Sequence, residues 1–595
     1  MTEPNTATTR IAIVGGGPGG LYAFKHIVAT LDPSFAIDIF EAKAQLGGGM
    51  PYSPEGASTE HITNVSCNEI PPLVTPVLDW LKGLAPDALE PFHIDAATFS
   101  EQRVLPRLLF GAYLAYQFEL LLRMAADLGI AAVRRTETRV TDIMDHPDDD
   151  TIVVESDDGQ RRTYDYVVIC TGHSWPRHAE GVVPGYFDSP YPPHKLAHRL
   201  DHAIAIRGSS LTAVDAVRTL ARSNGTFSRN DDGTLVFDVA SDAPHFRIVM
   251  HSRHGILPCV RFHTESPVIG KGSFISRRDV FTNMAKNDGF LSLDFVFDRN
   301  FKEPLREKDP AFYARIRDMT IEEFVAAMLG LREGVDPFTY FRREYAEAEH
   351  SILREEPIHW KEMLSALSFA MNYPAKHMSA EDMYRHKHVL MPLISIVIAF
   401  VPQGSCEELL ALHDAGLLTL VDVGEDSHVE PRADGGASWH YTAENGERMS
   451  TSYETFVDCI GQPHLDIDEF PFPSLARHGD IVAARLKFRS ATEAMRLAAE
   501  EDAPVAQHAD GSYTLHVPGI AINDEFQVVD ANGVPNPRIY MMAVPYIGGF
   551  NPDYSGLDFC EEAGGLVVRS IARREDGTFV ERSPSRPQVA TNRVV

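Results

Sequence analysis

Apolar positions follow two periods along this chain, and the places where one gives way to the other mark its elements. Residues 10–14 form a short, mainly apolar run of strand type, Leu21, Phe24, Ile27, Val28 and Leu31 recur at helical spacing, and 35–40 returns to a strand pattern. Within 103–128, Leu108, Leu109, Leu114, Phe118, Leu121 and Leu122 again keep helical spacing. Residues 139–143, 151–156 and 161–164 read as strands, the last two joined by a turn at Asp157-Asp158-Gly159. Residues 166–170 have the continuous apolar character of a strand buried on both faces. The order then repeats: a strand at 203–206, a helix at 213–222 and a strand at 246–251. A long block at 263–401 follows, with helical patterns at 310–317, 321–331, 337–353, 359–370 and 380–387. A helix at 406–416 and a strand at 417–423 lead to 454–461, whose pattern matches 165–172 position for position at one constant offset. After Gly461 the chain reads as irregular, with Pro471 and Pro473, until a strand at 539–544 and a helix at 556–572.

The joints between these elements carry the chemistry. The first strand runs into Gly15-Gly16-Gly17-Pro18-Gly19-Gly20, in which Gly15 permits a tight turn, Gly17 lets backbone approach a diphosphate, and Gly20 lets helix and strand pack closely. The diphosphate would rest on the amino end of the helix, where unpaired N–H groups and the dipole favour an anion. Glu41 closes the second strand near the offset at which an acid takes ribose hydroxyls. Gly47-Gly48-Gly49 leaves bare backbone just beyond it, which suits a cofactor longer than NAD and points to FAD. Asn64, in a segment fixed by Pro71-Pro72, is a candidate wall for a flavin ring. In the second unit the turn is Gly208-Ser209-Ser210-Leu211-Thr212-Ala213, with alanine tolerated at the third position, and Arg253 stands where Glu41 stood. An arginine there accommodates a 2′-phosphate, which selects NADPH.

The fold class is therefore α/β, with two dinucleotide-binding, Rossmann-like domains and a helical insertion. We divide the chain into 1–200 (FAD-binding, first part), 201–262 (NADPH-binding, first part), 263–402 (helical insertion over the cleft), 403–462 (NADPH-binding, second part) and 463–595 (return to the FAD domain, with a tail).

Charge and cysteine usage narrow the partners. Against 54 Lys and Arg stand 84 Asp and Glu, a net charge of −30, so nucleic acid and anionic membrane would be repelled. Cys67, Cys170, Cys259, Cys406, Cys459 and Cys560 are far apart, giving neither a CxxC dithiol nor metal-type spacing. Residues 1–9 are polar and do not resemble a signal peptide, so a reduced, cytoplasmic setting is expected. Residues 389–401, interrupted by Pro392, are too short to span a bilayer and read as buried core. His350, His359, His377, His386 and His388 form no HExxH, and no metal site is expected.

Gly15 to Gly20, Gly49-Met50-Pro51-Tyr52-Ser53, Thr171-Gly172-His173-Ser174-Trp175-Pro176, Gly208 to Asp215 and Ser252-Arg253-His254-Gly255-Ile256-Leu257-Pro258 together resemble the bacterial FAD/NAD(P)-binding flavoproteins. More distantly the chain is similar to the class B, N-hydroxylating flavin monooxygenases. By that resemblance Gly15, Gly17, Pro18, Gly19, Gly20 and Glu41 hold the diphosphate and ribose of FAD. Gly49, Met50, Asn64, Arg107, Val140, Thr171 and Gly172 line the rest of it. Gly208, Ser210, Leu211, Thr212, Ser252, Arg253 and Gly461 hold NADPH. The resemblance implies a small-molecule substrate and O2, and names no acid, base or nucleophile, because the flavin performs the chemistry. Its first substrate is the amino group of a small amino acid such as aspartate, oxidised as in the nitrosuccinate-forming enzymes. Hydroxylation of a purine or aromatic ring, or NADPH-dependent reduction of a quinone or a protein, stands beside it. Candidate substrate contacts are Arg103, Arg261, Tyr546 and Asn551, with Arg107, Lys271, Arg277 and Arg278 as further cations for a carboxylate; the loop 545–555 lacks the usual Gly-Asp. Whether the chain forms a homo-oligomer is left open by the sequence.

Overall fold

The structure is a computed structural model that describes residues 8–264, 275–332, 334–443, 445–500, 503–553 and 556–575. Strand β1 (Thr9–Val14) is buried from Ile11 to Val14, as its unbroken apolar run requires. It turns into helix α1 (Pro18–Thr30), where Pro18 takes a first-turn position that lacks an intrahelical N–H partner in any case. The chain returns as β2 (Phe35–Phe40), parallel to β1 with Ile11 opposite Ile37. Helix α2 (Arg107–Asp127) leads to β3 (Ala131–Arg135) on the outer side of β2, whereas β4 (Tyr166–Ile169) pairs with the opposite side of β1. This reversal of strand order beside β1 opens the crevice beyond the strand C-termini in which open α/β sheets take their ligands.

The second sheet repeats the plan. It is built from β5 (Tyr186–Phe187), β6 (Ala203–Arg207), β7 (Arg247–Ser252), β8 (Leu418–Asp422) and β9 (Thr455–Asp458), all parallel, in the order β5-β9-β6-β7-β8. Helix α3 (Leu211–Asn224) follows β6, and α4 (Gln403–Asp414) precedes β8. Thus β6, β7, β8 and β9 stand where β1, β2, β3 and β4 stand in the first unit. The repetition also extends to a three-stranded antiparallel meander before each closing strand. In the first unit it is Val140–His146, Thr151–Ser156 and Arg161–Tyr164; in the second it is His428–Pro431, Ala437–Thr442 and Arg448–Tyr453.

Between β7 and α4 the described chain is irregular up to residue 264 and mostly helical from Arg277 on, and side-chain caps set several boundaries. Ser276 with Asp279, and Thr320 with Glu323, form capping boxes at Arg277–Lys286 and Ile321–Gly330, while Asp336 caps Pro337–Arg354. Leu364, Leu367, Leu393, Ile394 and Val397 share a core with Ile248 and Met250 of the second sheet, whereas Ala375, Ala380 and Met383 belong to the core of the first. The insertion therefore packs on both units. The apolar run at 389–401 contributes the helix Met391–Val397, with Leu393, Ile394 and Val397 buried. No helix among the described residues is long and apolar enough to cross a membrane.

The chain then returns to the first sheet. Strands β10 (Gln527–Val529) and β11 (Pro535–Met541) extend the edge of β4, with Tyr540 opposite Val168, completing the order β10-β11-β4-β1-β2-β3. The last helix, α5 (Leu557–Glu575), packs against α1 so closely that a Cβ on Gly564 would lie 3.1 Å from the backbone nitrogen of Ala23. The stretch read as irregular after Gly461 is ordered: it holds the helices Pro473–His478 and Ala491–Ala498, and a sheet of Ala483–Lys487, Val505–Gln507 and Tyr513–Ile520. Pro473 begins the helix Pro473–His478.

Candidate nucleotide-binding and active site

Each nucleotide turn is folded against the end of its own closing strand. Gly15 has φ +113°, and a Cβ there would lie 2.4 Å from the Cys170 carbonyl oxygen; Gly208 has φ +112°, and a Cβ there would lie 2.8 Å from the Cys459 carbonyl oxygen. The Gly15 N–H donates to the Phe40 carbonyl at 2.9 Å and the Gly208 N–H to the His251 carbonyl at 2.8 Å. A side chain at either position meets both a left-handed backbone and a carbonyl wall. Gly20 answers to packing alone, since a Cβ would come 2.1 Å from the Gly15 carbonyl oxygen. Gly17 and Ser210 begin α1 and α3, and neither gives a side-chain cap among the described residues; neither helix has an acid in its first turn. The first N–H groups of both helices, at Gly19-Gly20 and at Leu211-Thr212, are thus left to an anion from outside the chain.

Around the first turn, Glu41 accepts from the Gly16 N–H at 3.0 Å through Oε2 and from the Lys43 N–H at 3.0 Å through Oε1, which holds its carboxylate over the turn. Val140 opens the first meander, whose entry is tied to the same place by the Thr138 N–H donating to the Glu41 carbonyl at 3.0 Å. The bare backbone at 47–49 has a reason other than a long cofactor: a Cβ on Gly47 would lie 2.6 Å from the Ala115 nitrogen of α2, and one on Gly17 would lie 3.2 Å from the Gly49 Cα. Met50 follows, half-buried, its carbonyl accepting from the Ser53 hydroxyl at 3.0 Å. Directly after β4, the Thr171 hydroxyl is buried with no hydrogen-bond partner among the described residues, and a Cβ on Gly172 would meet nothing within 4 Å. A glycine cradle, uncapped N–H groups, an unpaired hydroxyl and open space fit an extended dinucleotide such as FAD.

The second turn presents a different set. Arg253 is 70% exposed and lies 3.3 Å from Glu425 Oε2, while His254 lies 3.3 Å from Oε1 of the same carboxylate. The neighbouring Ser252 hydroxyl is buried with no partner among the described residues. Beyond this point opens a cavity of about 900 Å³ lined by His254, Gly255, Arg332, Tyr340 and Asp422. An exposed guanidinium beside an unpaired hydroxyl fits a phosphate, and Glu425 is the group a phosphate would displace. Gly461 sits opposite the helix start, since a Cβ there would be 3.8 Å from Thr212 Oγ1.

Several expected contacts prove to hold the domains together. Arg107 donates to Asp215 of α3 at 2.6 Å and to the Ile62 carbonyl at 3.0 Å, so its charge is matched within the protein and does not face a phosphate. Burial alone would raise the Asp215 carboxyl, but Arg107, His61 and the Tyr191 hydroxyl at 2.7 Å hold it below the usual range. Arg261 is buried and ion-paired with Glu69, bonds Ser66 Oγ at 2.8 Å and reaches the Asn64 carbonyl, which removes it from the substrate contacts and gives Asn64 a backbone role. Tyr546 donates to the Glu469 carbonyl at 3.1 Å, and Asn551 is buried where its loop meets the insertion through Asp553 and Asn372. Arg277 pairs with Glu525 at 3.1 Å. Arg103 and Arg278 are exposed, Arg103 lying over the Phe99 ring at 5.3 Å. Lys271, Tyr554 and Ser555 lie outside the described residues.

The two closing loops grip one another. The Ser174 N–H donates to Gln462 Oε1 at 2.9 Å, Gln462 Nε2 donates back to the Ser174 carbonyl at 2.6 Å, and Trp175 Nε1 donates to the Gly461 carbonyl at 3.1 Å. Sequence reasoning missed the role of Asp215, which ends the quoted Gly208 to Asp215 stretch, and missed Tyr191, Gln462 and Glu425, which belong to no motif. It also missed Asp558, whose carboxyl in the first turn of α5 is pushed up to about 7 by burial and by Glu69, Asp553, Glu561 and Glu562. Only proximity in space marks these residues.

Comparison with known proteins agrees with this geometry at the level of the unit. Residues 12–174 match the FAD-NAD(P)-binding family, and residues 276–398 match the YdhS-like middle domain. The first unit, from β1 to the loop after β4, is thus of the FAD-NAD(P)-binding kind. The chain is 27% identical over 566 residues to "Uncharacterized protein YdhS" of Escherichia coli (strain K12), covering 95% of this chain and 97% of that protein. Among solved structures it is similar to the ornithine hydroxylase of Pseudomonas aeruginosa (TM-score 0.45, 13% identity, 96% of this chain and 99% of that one). It is similar also to the FAD-bound cadaverine monooxygenase DfoA of Erwinia amylovora (0.45, 12%, 99% and 100%) and to the thioredoxin reductase of T. acidophilum (0.36, 9%, 95% and 98%).

Proposed function

We propose that the protein is a FAD-dependent, NADPH-using monooxygenase that oxygenates the amino group of a small molecule, with aspartate the first compound to test. The observation that carries this reading is the pair of equivalent turns at Gly15 and Gly208, joined across the domains by Ser174 with Gln462 and by Arg107 with Asp215, yet bearing Glu41 on one side and Arg253 on the other. One dinucleotide would be held by ribose hydroxyls and the other by a phosphate, the division of labour expected of a bound flavin and a diffusible reductant. FAD, when bound, supplies the hydride and oxygen chemistry. The chain's own residues would hold and enclose it: the N–H groups of α1 would take the diphosphate, Glu41 the ribose, and Thr171 would offer a hydroxyl that has no partner among the described residues. The helical insertion, packed on both units, limits the access of water.

All six cysteines are buried and no two form a disulfide, which disfavours a dithiol-based disulfide reductase. Arg107, Arg261 and Arg277 already face acids, so among the described candidates Arg103 and Arg278 are left for a carboxylate-bearing substrate. The test is oxygen consumption with NADPH across aspartate, other amino acids, carboxylate-free amines, urate and phenols, with peroxide measured in parallel. Substrate-stimulated uptake with little peroxide and an N-oxidised product supports the reading. Uptake should rise above neutral pH, because the nitrogen must be unprotonated to attack. Stimulation by quinones or dyes alone would make the protein a reductase.

A further inference from the structure

The second meander gathers three metal-ligating side chains far from any motif. His428 and Glu430 are two residues apart on one strand, so both project from the same face. His440 is paired directly opposite His428 on the neighbouring antiparallel strand. The opposite face is the buried one, where Trp439 stacks on His251 at 4.1 Å.

The ligand atoms converge. His428 Nε2 is 3.5 Å from Glu430 Oε1, His440 Nε2 is 3.7 Å from Glu430 Oε2, and the three groups offer atoms that all lie within 4.8 Å of one another. These separations are long for N–H···O hydrogen bonds, whose range ends near ~3.2 Å. They are close to the edge of a tetrahedron around zinc, about 3.3–3.4 Å for bonds of roughly 2.0–2.1 Å. His440 Nε2 is buried and has no hydrogen-bond partner among the described residues, although it lies within reach of the Glu430 carboxylate and the His428 ring. The two imidazoles stack with centroids 4.9 Å apart, which places both rings on the same side of the hairpin. His428 and Glu430 are exposed, which leaves solvent access for a fourth ligand.

We propose that His428, Glu430 and His440 bind a divalent first-row transition ion of the zinc class through two imidazole nitrogens and one carboxylate oxygen. The spacing His-x-Glu on one strand with a histidine on its hairpin partner is what brings the three ligands together. Imidazole suits zinc, copper and nickel, whereas magnesium and calcium want oxygen alone. Bound there, the ion would pin the strands His428–Pro431 and Ala437–Thr442 to each other. This inference is independent of the flavin reading.

The experiment is titration of the full-length, chelator-treated protein with Zn²⁺ against a chromophoric competitor, beside His428→Ala/His440→Ala and Glu430→Gln. The wild type should hold one saturable equivalent that the double variant lacks and that Glu430→Gln binds 10- to 100-fold more weakly. Zinc-edge X-ray absorption of the loaded wild type should report two imidazoles. The histidines are on the surface side of the meander, and the circular dichroism of the variants should match the wild type. An unchanged stoichiometry in the double variant, or a wild type that takes up no equivalent, would reduce the cluster to an ion pair and overturn the proposal.

Discussion

The guanidinium of Arg107, at the start of the helix that leads to β3 of the first unit, sits 2.6 Å from the carboxylate of Asp215, one turn into the helix that follows β6 in the second. Both groups are largely removed from water, and Tyr191 and Ile62 complete their hydrogen bonds. Removing one partner strands a buried charge, so Arg107→Met or Asp215→Asn should cost about 3–5 kcal/mol in chemical denaturation. The Asp215 carboxyl is held below its unfolded range, so its stabilising contribution is full above about pH 4 and is lost as pH falls through the folded value. Melting curves of the wild type and Asp215→Asn should therefore converge only in strong acid.

The purified protein should be yellow and contain FAD. Gly17→Val should purify colourless or fail to accumulate, because a side chain at that position projects toward Gly49 across the place where a diphosphate lies against the backbone. Absorbance in the flavin region against protein concentration is the measurement. A colourless wild type that takes up no added FAD would remove the flavin reading altogether.

NADPH should reduce the flavin much better than NADH, and Arg253→Ala should narrow that preference. Loss of a charge-assisted phosphate contact is worth about 1.5–3 kcal/mol, or roughly 10- to 150-fold in the KM ratio. Glu425→Gln should move the other way, lowering the KM for NADPH, because it removes the carboxylate 3.3 Å from Arg253 that a phosphate must displace. Both are read from stopped-flow flavin reduction with the two nucleotides.

Asp558 gives a pH signature of opposite sign to Asp215. Burial and nearby acids raise it to about 7, so the folded protein holds that proton more tightly than the unfolded chain does. The stabilisation is full below about pH 4 and is lost as pH rises through about 7. Asp558→Asn should accordingly melt higher than the wild type at pH 8, with the gap closing toward pH 4.

What could be read in the chain beforehand was whatever local rules decide. The glycine turns, the repeat ending at Cys170 and Cys459, and the helical insertion followed from period and from the few residues a tight turn allows. The insertion's helix ends came within a few residues because residues such as Thr320 and Asp336 cap them locally. In the second meander and the sheet at 483–520, strands such as His428–Pro431 and Val505–Gln507 are short and half-exposed, so alternation had too few residues to register there. Arg107 and Arg261 were misassigned for a different reason. A sequence shows that an arginine is present but not which acid, a hundred or more residues away, will neutralise it. For the same cause the metal-type cluster at His428 and His440 was invisible until the hairpin register set the two histidines opposite each other.

The order in which the first sheet is completed bears on how the chain is made. Strand β4 ends at Ile169, yet its neighbour β11 does not begin until Pro535, and α1 waits for α5 at Leu557–Glu575. About 370 residues separate the two strands, roughly 20–75 s of synthesis at ribosomal rates. Throughout that interval the nascent protein presents an unpaired, fully apolar strand edge and the bare flank of its first helix, the features that invite association with other chains. A truncation that stops short of residue 535 should collect as aggregate at the ribosome's own pace, and the wild type must pass through the same vulnerable state each time it is translated.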